Sequence, residues 1–306
     1  MKKGLVSSLL AAGLLAGAVS TAQADAVATS YLNIYDFAFV NDSNDTKLLV
    51  GTDISFSGTV TNDGDTNAEL NGVTDNATNS AAAAPTGLDV DYSCVGACSY
   101  AENSFSYITQ PNVAPATYAL GDALLTGASV DFPPGGVPDA QAQTLAEVSL
   151  EAADAEGSAS GNNIGVQGTI NFIALADITV RFEYSFDQYI RALLTADELG
   201  LQANASTSFS INILDITDNY SETLNHSPSA LNTGRSATVP GQDIELERNG
   251  WADSGTFAMI AGHQYQLTID QASDANAKLV PEPATLALLG LGLFGIGAAR
   301  RRKISA

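Results

Sequence analysis

Ile178-Thr179-Val180-Arg181-Phe182-Glu183-Tyr184-Ser185-Phe186-Asp187 alternates apolar and polar residues without a break. Successive side chains of a β-strand point to opposite faces, so the stretch reads as a strand with one face in a core and one in water. The same period recurs outward along the chain. Phe209, Ile211 and Ile213 alternate with serine and asparagine; Tyr265, Leu267 and Ile269 alternate with glutamine, threonine and aspartate. Val50, Ile54, Phe56 and Val60 share one parity, and shorter strands are expected in 31–40, 88–92, 144–150, 169–175 and 243–247. Turn-forming residues separate them: Asn62-Asp63-Gly64-Asp65, Pro133-Pro134-Gly135-Gly136 and Ser160-Gly161-Asn162-Asn163. Helical periodicity is weak, and one short helix is expected within 189–201, with a long loop over 74–86. The pattern predicts an all-β body, an antiparallel β-sandwich of jelly-roll type, in one unit because no clear linker divides it.

Of 306 residues, 34 are Asp or Glu and 12 are Lys or Arg, a formal net charge of −22. The imbalance is concentrated between Asp25 and Leu279. That body holds every acid except Glu282, yet only Lys47, Arg181, Arg191, Arg235, Arg248 and Lys278 among the bases. Such a surface repels phosphate backbones and anionic headgroups, which argues against nucleic-acid binding. A hydrophobic fraction of 45% is enough to bury a core.

Both ends read as addresses. Lys2 and Lys3 precede an apolar run from Leu5 to Val19, and Ala22-Gln23-Ala24 is a small-x-small cleavage site. Residues 1–24 are thus expected to be a signal peptide cut between Ala24 and Asp25, leaving 25–279 as the exported body. Residues 284–299 carry no charge and Arg300-Arg301-Arg302-Lys303 follow directly. As a helix, 284–299 would span about 24 Å, workable across a ~30 Å hydrocarbon core when the arginines snorkel. The basic cluster is expected on the cytoplasmic side. Gly290-Leu291-Gly292-Leu293-Phe294-Gly295 matches the G-x-G-x-x-G nucleotide fingerprint, but no acidic residue follows it. The glycines fit a membrane helix better than a βαβ unit.

Val280-Pro281-Glu282-Pro283, the apolar segment and the arginine cluster occur in that order over 280–306. This tripartite tail resembles the PEP-CTERM sorting domain. The resemblance implies a Sec-exported substrate of exosortase, a transpeptidase-like membrane enzyme of Gram-negative bacteria that make exopolysaccharide. It implies membrane retention through the C-terminal helix, processing near Pro281, Glu282 and Pro283, and then a place at the cell surface or in the extracellular matrix. Signal peptidase and exosortase are the processing partners it implies. It says nothing about the body.

Within the body, Cys94 and Cys98 lie three residues apart around Val95-Gly96-Ala97. In an exported chain that spacing favours a small-loop disulfide over a C-x-x-C redox pair. His226 and His263 sit in no zinc-binding pattern, and Gly157-Ser158-Ala159-Ser160-Gly161 lacks the central serine of a nucleophile elbow. Paired carboxylates for glycoside hydrolysis are inevitable in so acidic a chain, and one Trp is few for a sugar cleft. No catalytic residue is assigned, and the body is expected not to be an enzyme. Calcium is the one cofactor the sequence suggests: Asp63, Asp65, Asn67 and Glu69 place oxygens at alternate positions, without the twelve-residue loop of an EF-hand. Three functional classes follow. The first is a structural protein of the surface, biofilm or exopolysaccharide matrix; the second, a carbohydrate- or calcium-binding sandwich; the third, an extracellular hydrolase.

Overall fold

The computed structural model describes residues 26–279 apart from 59, 83–86, 99–100, 106–116, 128–129, 131–140, 152–155, 165–168, 196–200 and 219–220. The expected signal peptide, the cut at Ala24 and Asp25, the helix over 284–299 and the basic cluster at 300–303 lie outside the described residues, as does the turn at 133–136.

Two antiparallel sheets face each other. The first runs β15 (Asp243–Asp253), β11 (Ile178–Leu194), β1 (Ala26–Asn41), β8 (Gln141–Leu150), β7 (Tyr118–Thr126) and β6 (Leu88–Gly96). Short strands β16 (Phe257–Met259) and β2 (Thr46–Lys47) add to β11 and β1. The second runs β13 (Ser221–His226), β12 (Leu201–Asp215), β17 (Gln264–Leu279), β9 (Glu156–Ile164), β4 (Thr61–Leu70) and β5 (Val73–Ala82). β14 (Thr233–Ala237) pairs with β12, while β10 (Thr169–Ala174) joins β17 to β3 (Ile54–Phe56). Among the described residues the body is therefore an all-β sandwich, with an eight-stranded and a nine-stranded sheet.

The interior is graded along its length. At one end Phe37, Phe39, Phe182 and Tyr184 of the first sheet meet Phe172, Phe209 and Tyr265 of the second. Phe39 stacks on Phe182 with centroids 4.3 Å apart. Burying each such ring contributes on the order of 2 kcal/mol. At the other end the sheets meet through Ala26, Ala28, Ala146, Ala192, Ala203, Ala205, Ala275 and Ala277. Small side chains let the sheets close up there. A Cβ on Gly121 of β7 would lie 2.2 Å from the Ser160 carbonyl oxygen and 2.7 Å from that of Asn67.

Between these halves runs a seam of buried polar side chains that hydrogen-bond from sheet to sheet. Gln188 Nε2 donates to Thr207 Oγ1 at 2.6 Å, and Ser30 Oγ to the Asp274 carbonyl at 2.8 Å. The Thr144 and Ser273 hydroxyls meet at 2.9 Å, and those of Thr66 and Ser93 at 2.8 Å. Gln271 Nε2 reaches the Leu32 and Ala142 carbonyls at 2.9 and 3.1 Å. Directional bonds of this kind fix how one sheet sits over the other, which apolar contact alone leaves loose.

Four local expectations are corrected. Asn62-Asp63-Gly64-Asp65 is not a turn but the first half of β4, because Asn62, Gly64, Thr66, Ala68 and Leu70 form its buried face. Ser160-Gly161-Asn162-Asn163 likewise lies within β9, paired with β4 and β17. Residues 74–82 of the expected loop over 74–86 belong to strand β5 (Val73–Ala82). Tyr189 to Leu194 continues β11 and Leu201 opens β12, so the expected helix is absent from the described part of 189–201. Those β11 residues are buried on both faces, which removes the alternation that would have marked them as strand.

Candidate functional site

Alternation on β4 places Asp63, Asp65, Asn67 and Glu69 together on the outer face of the second sheet. They form a stripe along one strand, with same-face neighbours about 6.6 Å apart. A calcium ion gathers six to eight oxygens at about 2.3–2.6 Å, a tighter cluster than the spacing along such a row. Among the described residues no three His, Cys, Asp or Glu side chains converge as a metal site. A further carboxylate lies across β9. There Asp274 of β17 is held above the usual carboxylate range, first by desolvation on the crowded sheet face and then by the Asp65 charge.

Beside this stripe the outer face dips into an open groove of about 520 Å³. Its walls carry Asn67, Ser158, Ser160, Asn204, Ser206 and Asn276, from four neighbouring strands in register. Ala159, Ala205 and Ala275 lie between them, and Asp274 and Arg235 add one charge of each sign, so the groove combines short hydrogen-bonding side chains with apolar methyls.

The outer face of the first sheet is different: much of it is buried. Glu147 of β8 lies opposite Thr29 of β1, which lies opposite Arg191 of β11. Tyr118 Oη donates to Glu147 Oε1, and Thr29 Oγ1 donates to Oε2 at 3.3 Å. Burial pushes the Glu147 carboxyl up, against the opposing pull of Tyr118, Thr29 and Arg191. Arg191 itself forms a two-pronged pair with Asp243 at 2.9 and 2.9 Å. On β7, the strand next to β8, Asp122 is raised to about 6, by burial first, although the backbone N–H of Asn103 reaches it at 2.8 Å. The bonds to Glu147 knit β1, β7 and β8 together and the Arg191–Asp243 pair ties β11 to β15, while Asp122 Oδ1 is buried without a hydrogen-bond partner.

Neither histidine is a loose surface group. His263 Nδ1 meets Asp215 Oδ2 at 2.7 Å, and Asp215 also accepts the N–H groups of Thr217 and Asp218, closing the turn after β12. Burial would raise the Asp215 carboxyl, but these bonds outweigh it and hold it below its ordinary range. His226 Nε2 lies 2.8 Å from the Tyr184 hydroxyl, its pKa lowered by burial against the pull of Asp253. Cys94 and Cys98 form a disulfide at the end of β6, as their spacing suggested. Trp251, which sequence reasoning left out of any strand, stands 59% exposed on β15. The alternation around it is broken by Asn249 and Gly250, so no periodic signal marked it.

Residues 279–303 match the family profile described as the PEP-CTERM protein-sorting motif. The match covers Pro281, Glu282, Pro283 and the cluster from Arg300 to Lys303, and it is the motif of exported proteins sorted by exosortase. No curated protein and no solved structure matches the chain.

Proposed function

We propose that this is a non-enzymatic protein of the bacterial surface or extracellular matrix. In this reading it crosses the inner membrane of a Gram-negative cell and is held by the 284–299 helix with Arg300–Lys303 in the cytoplasm. Exosortase then processes it near Pro281–Pro283. The observation that carries the reading is the sorting motif over 279–303. The body supports it through its charge: only six bases oppose its acids, which keeps it soluble and cation-attracting within a hydrated polymer. Exopolysaccharide is the matrix partner that fits. The stripe of Asp63, Asp65, Asn67 and Glu69 serves here as a collector of calcium and other cations.

The test is the mature C-terminus, read by mass spectrometry from a host with its own exosortase, beside Glu282→Ala. A wild-type end near Pro281–Pro283 with the variant uncut is the expected result. An intact Ala306 terminus in both would overturn the reading.

A further inference from the structure

Directly opposed residues in neighbouring strands share a face, and the first sheet sets Trp251 (β15), Ser185 (β11), Tyr35 (β1) and Gln141 (β8) in one row. The row faces outward. Gly250 turns to the interior, where a Cβ would meet the Phe186 ring at 3.3 Å, and Ala252 packs against the core. Trp251, the chain's one tryptophan, is 59% exposed. Tyr35 is half-buried and stands just before a β-bulge at which Asp36 takes φ 54. Between the two aromatics lies only the small Ser185.

The adjacent row is polar and already braced. Asn33 Nδ2 donates to Asp187 Oδ2 at 3.3 Å, and Gln141 Nε2 to Asn33 Oδ1 at 3.0 Å. Gln143 Nε2 donates to the Tyr31 hydroxyl at 3.0 Å. Asp187 also sits close enough to Tyr35 for its charge to raise the phenol's pKa, after the larger effect of burial.

We propose that this face is a glycan platform. Trp251 and Tyr35 stack on sugar rings of a neutral, extended polysaccharide running across the strands, and Asp187 and Gln141, held in place by the buried Asn33, take hydrogen bonds from its hydroxyls. The two aromatics stand two strands apart, about 10 Å, which suits alternate pyranose rings of an extended chain. Flat apolar ring faces and a polar strip alongside match the two chemistries of a sugar: C–H faces and an equatorial belt of hydroxyls. The charge around the row selects for neutrality. Asp36, Glu183, Asp187 and Asp253 border it, and nearby Arg181 is committed to Asp42, Asp45 and Glu183. A uronic-acid polymer would meet repulsion there.

The proposal rests on the reading of the chain as an exopolysaccharide-associated protein, and its test is independent of the tail. Emission from Trp251 reports this site alone, since the chain has no other tryptophan. The full-length protein in detergent is titrated with cellohexaose, laminarihexaose and mannohexaose, and with hexagalacturonate as the anionic control. The expected result is a saturable blue shift with at least one neutral hexaose and none with hexagalacturonate. By affinity electrophoresis, Trp251→Ala and Tyr35→Ala should each weaken binding on the order of tenfold. Trp251→Phe should retain most of it, with thermal melts showing that all three variants fold. No shift with any neutral hexaose, equal binding of the anion, or binding that survives both alanine variants would each overturn the platform. A processed tail without glycan binding sinks the platform alone; saturable binding with an intact tail sinks the sorting reading alone.

Discussion

Asp122 is where one side chain sets a pH dependence. Its carboxyl is raised to about 6 by burial, and the charges of Glu102 and Asp89 add to the rise. A folded-state pKa above the unfolded value means that folding favours the protonated acid. The contribution is whole below about pH 4 and is lost as pH climbs through about 6. At neutral pH, holding the charge costs up to about 3 kcal/mol. Asp122→Asn keeps an oxygen for the Asn103 N–H that donates at 2.8 Å and removes the charge. The variant should therefore be more stable than wild type at pH 7, by on the order of 2 kcal/mol, and no more stable at pH 4. Thermal melts at the two pH values check it, and an equal effect at both would show that ionisation is not the cause.

At the scale of strands, the close approach of β7 to β9 and β4 has a sharp consequence. Gly121→Ala places a methyl carbon 2.2 Å from the Ser160 carbonyl oxygen, a backbone atom that moves only with its sheet. Separating the sheets at their alanine end should cost about 3 kcal/mol, a fall in Tm of roughly 10 °C. Ala123→Gly, two residues along the same buried face, loses a methyl and calibrates what a cavity costs there; a Gly121→Ala melt no lower than that one would refute the steric argument.

The strands also show what a sequence can and cannot disclose. The first halves of β11 and β17 were legible because one face is core and the other water, so period two is written in their composition. β4 and β9 were not, because a strand built from Asn, Asp, Gly and Ser uses the same letters as a turn. The inward residues of β4 are partly Asn62, Gly64 and Thr66, chosen for the polar seam and the narrow gap, and hydrophobicity alone gives no alternation. The real turn was written nearby. Asn71 and Gly72 take φ 51 and 77 between Leu70 and Val73, the left-handed pair that a two-residue hairpin requires. The Trp251–Tyr35 row was hidden for another reason: its members are 216 positions apart in number and meet only through the register of β15, β11 and β1.

For the molecule as a whole, charge is the dominant feature, and a formal −22 must express itself as self-repulsion that weakens the compact state. The carboxylates of β4 lie in a row rather than a chelate, so screening, not coordination, should relieve it. Added NaCl is expected to raise Tm steadily as the Debye length falls toward about 3 Å at 1 M. Calcium and magnesium at equal concentration should raise it further and by the same amount, since a diffuse layer reads valence and not ionic radius. Calcium chelation would look different, because calcium accepts six to eight flexible oxygens where magnesium holds to an octahedron. A rise specific to calcium, persisting in 1 M NaCl and lost in Asp65→Asn, would replace the screened stripe with a true site. A Tm indifferent to all three salts would mean that the acids are spaced too widely to repel, and the matrix reading would then have to stand on the tail and the glycan platform without help from charge.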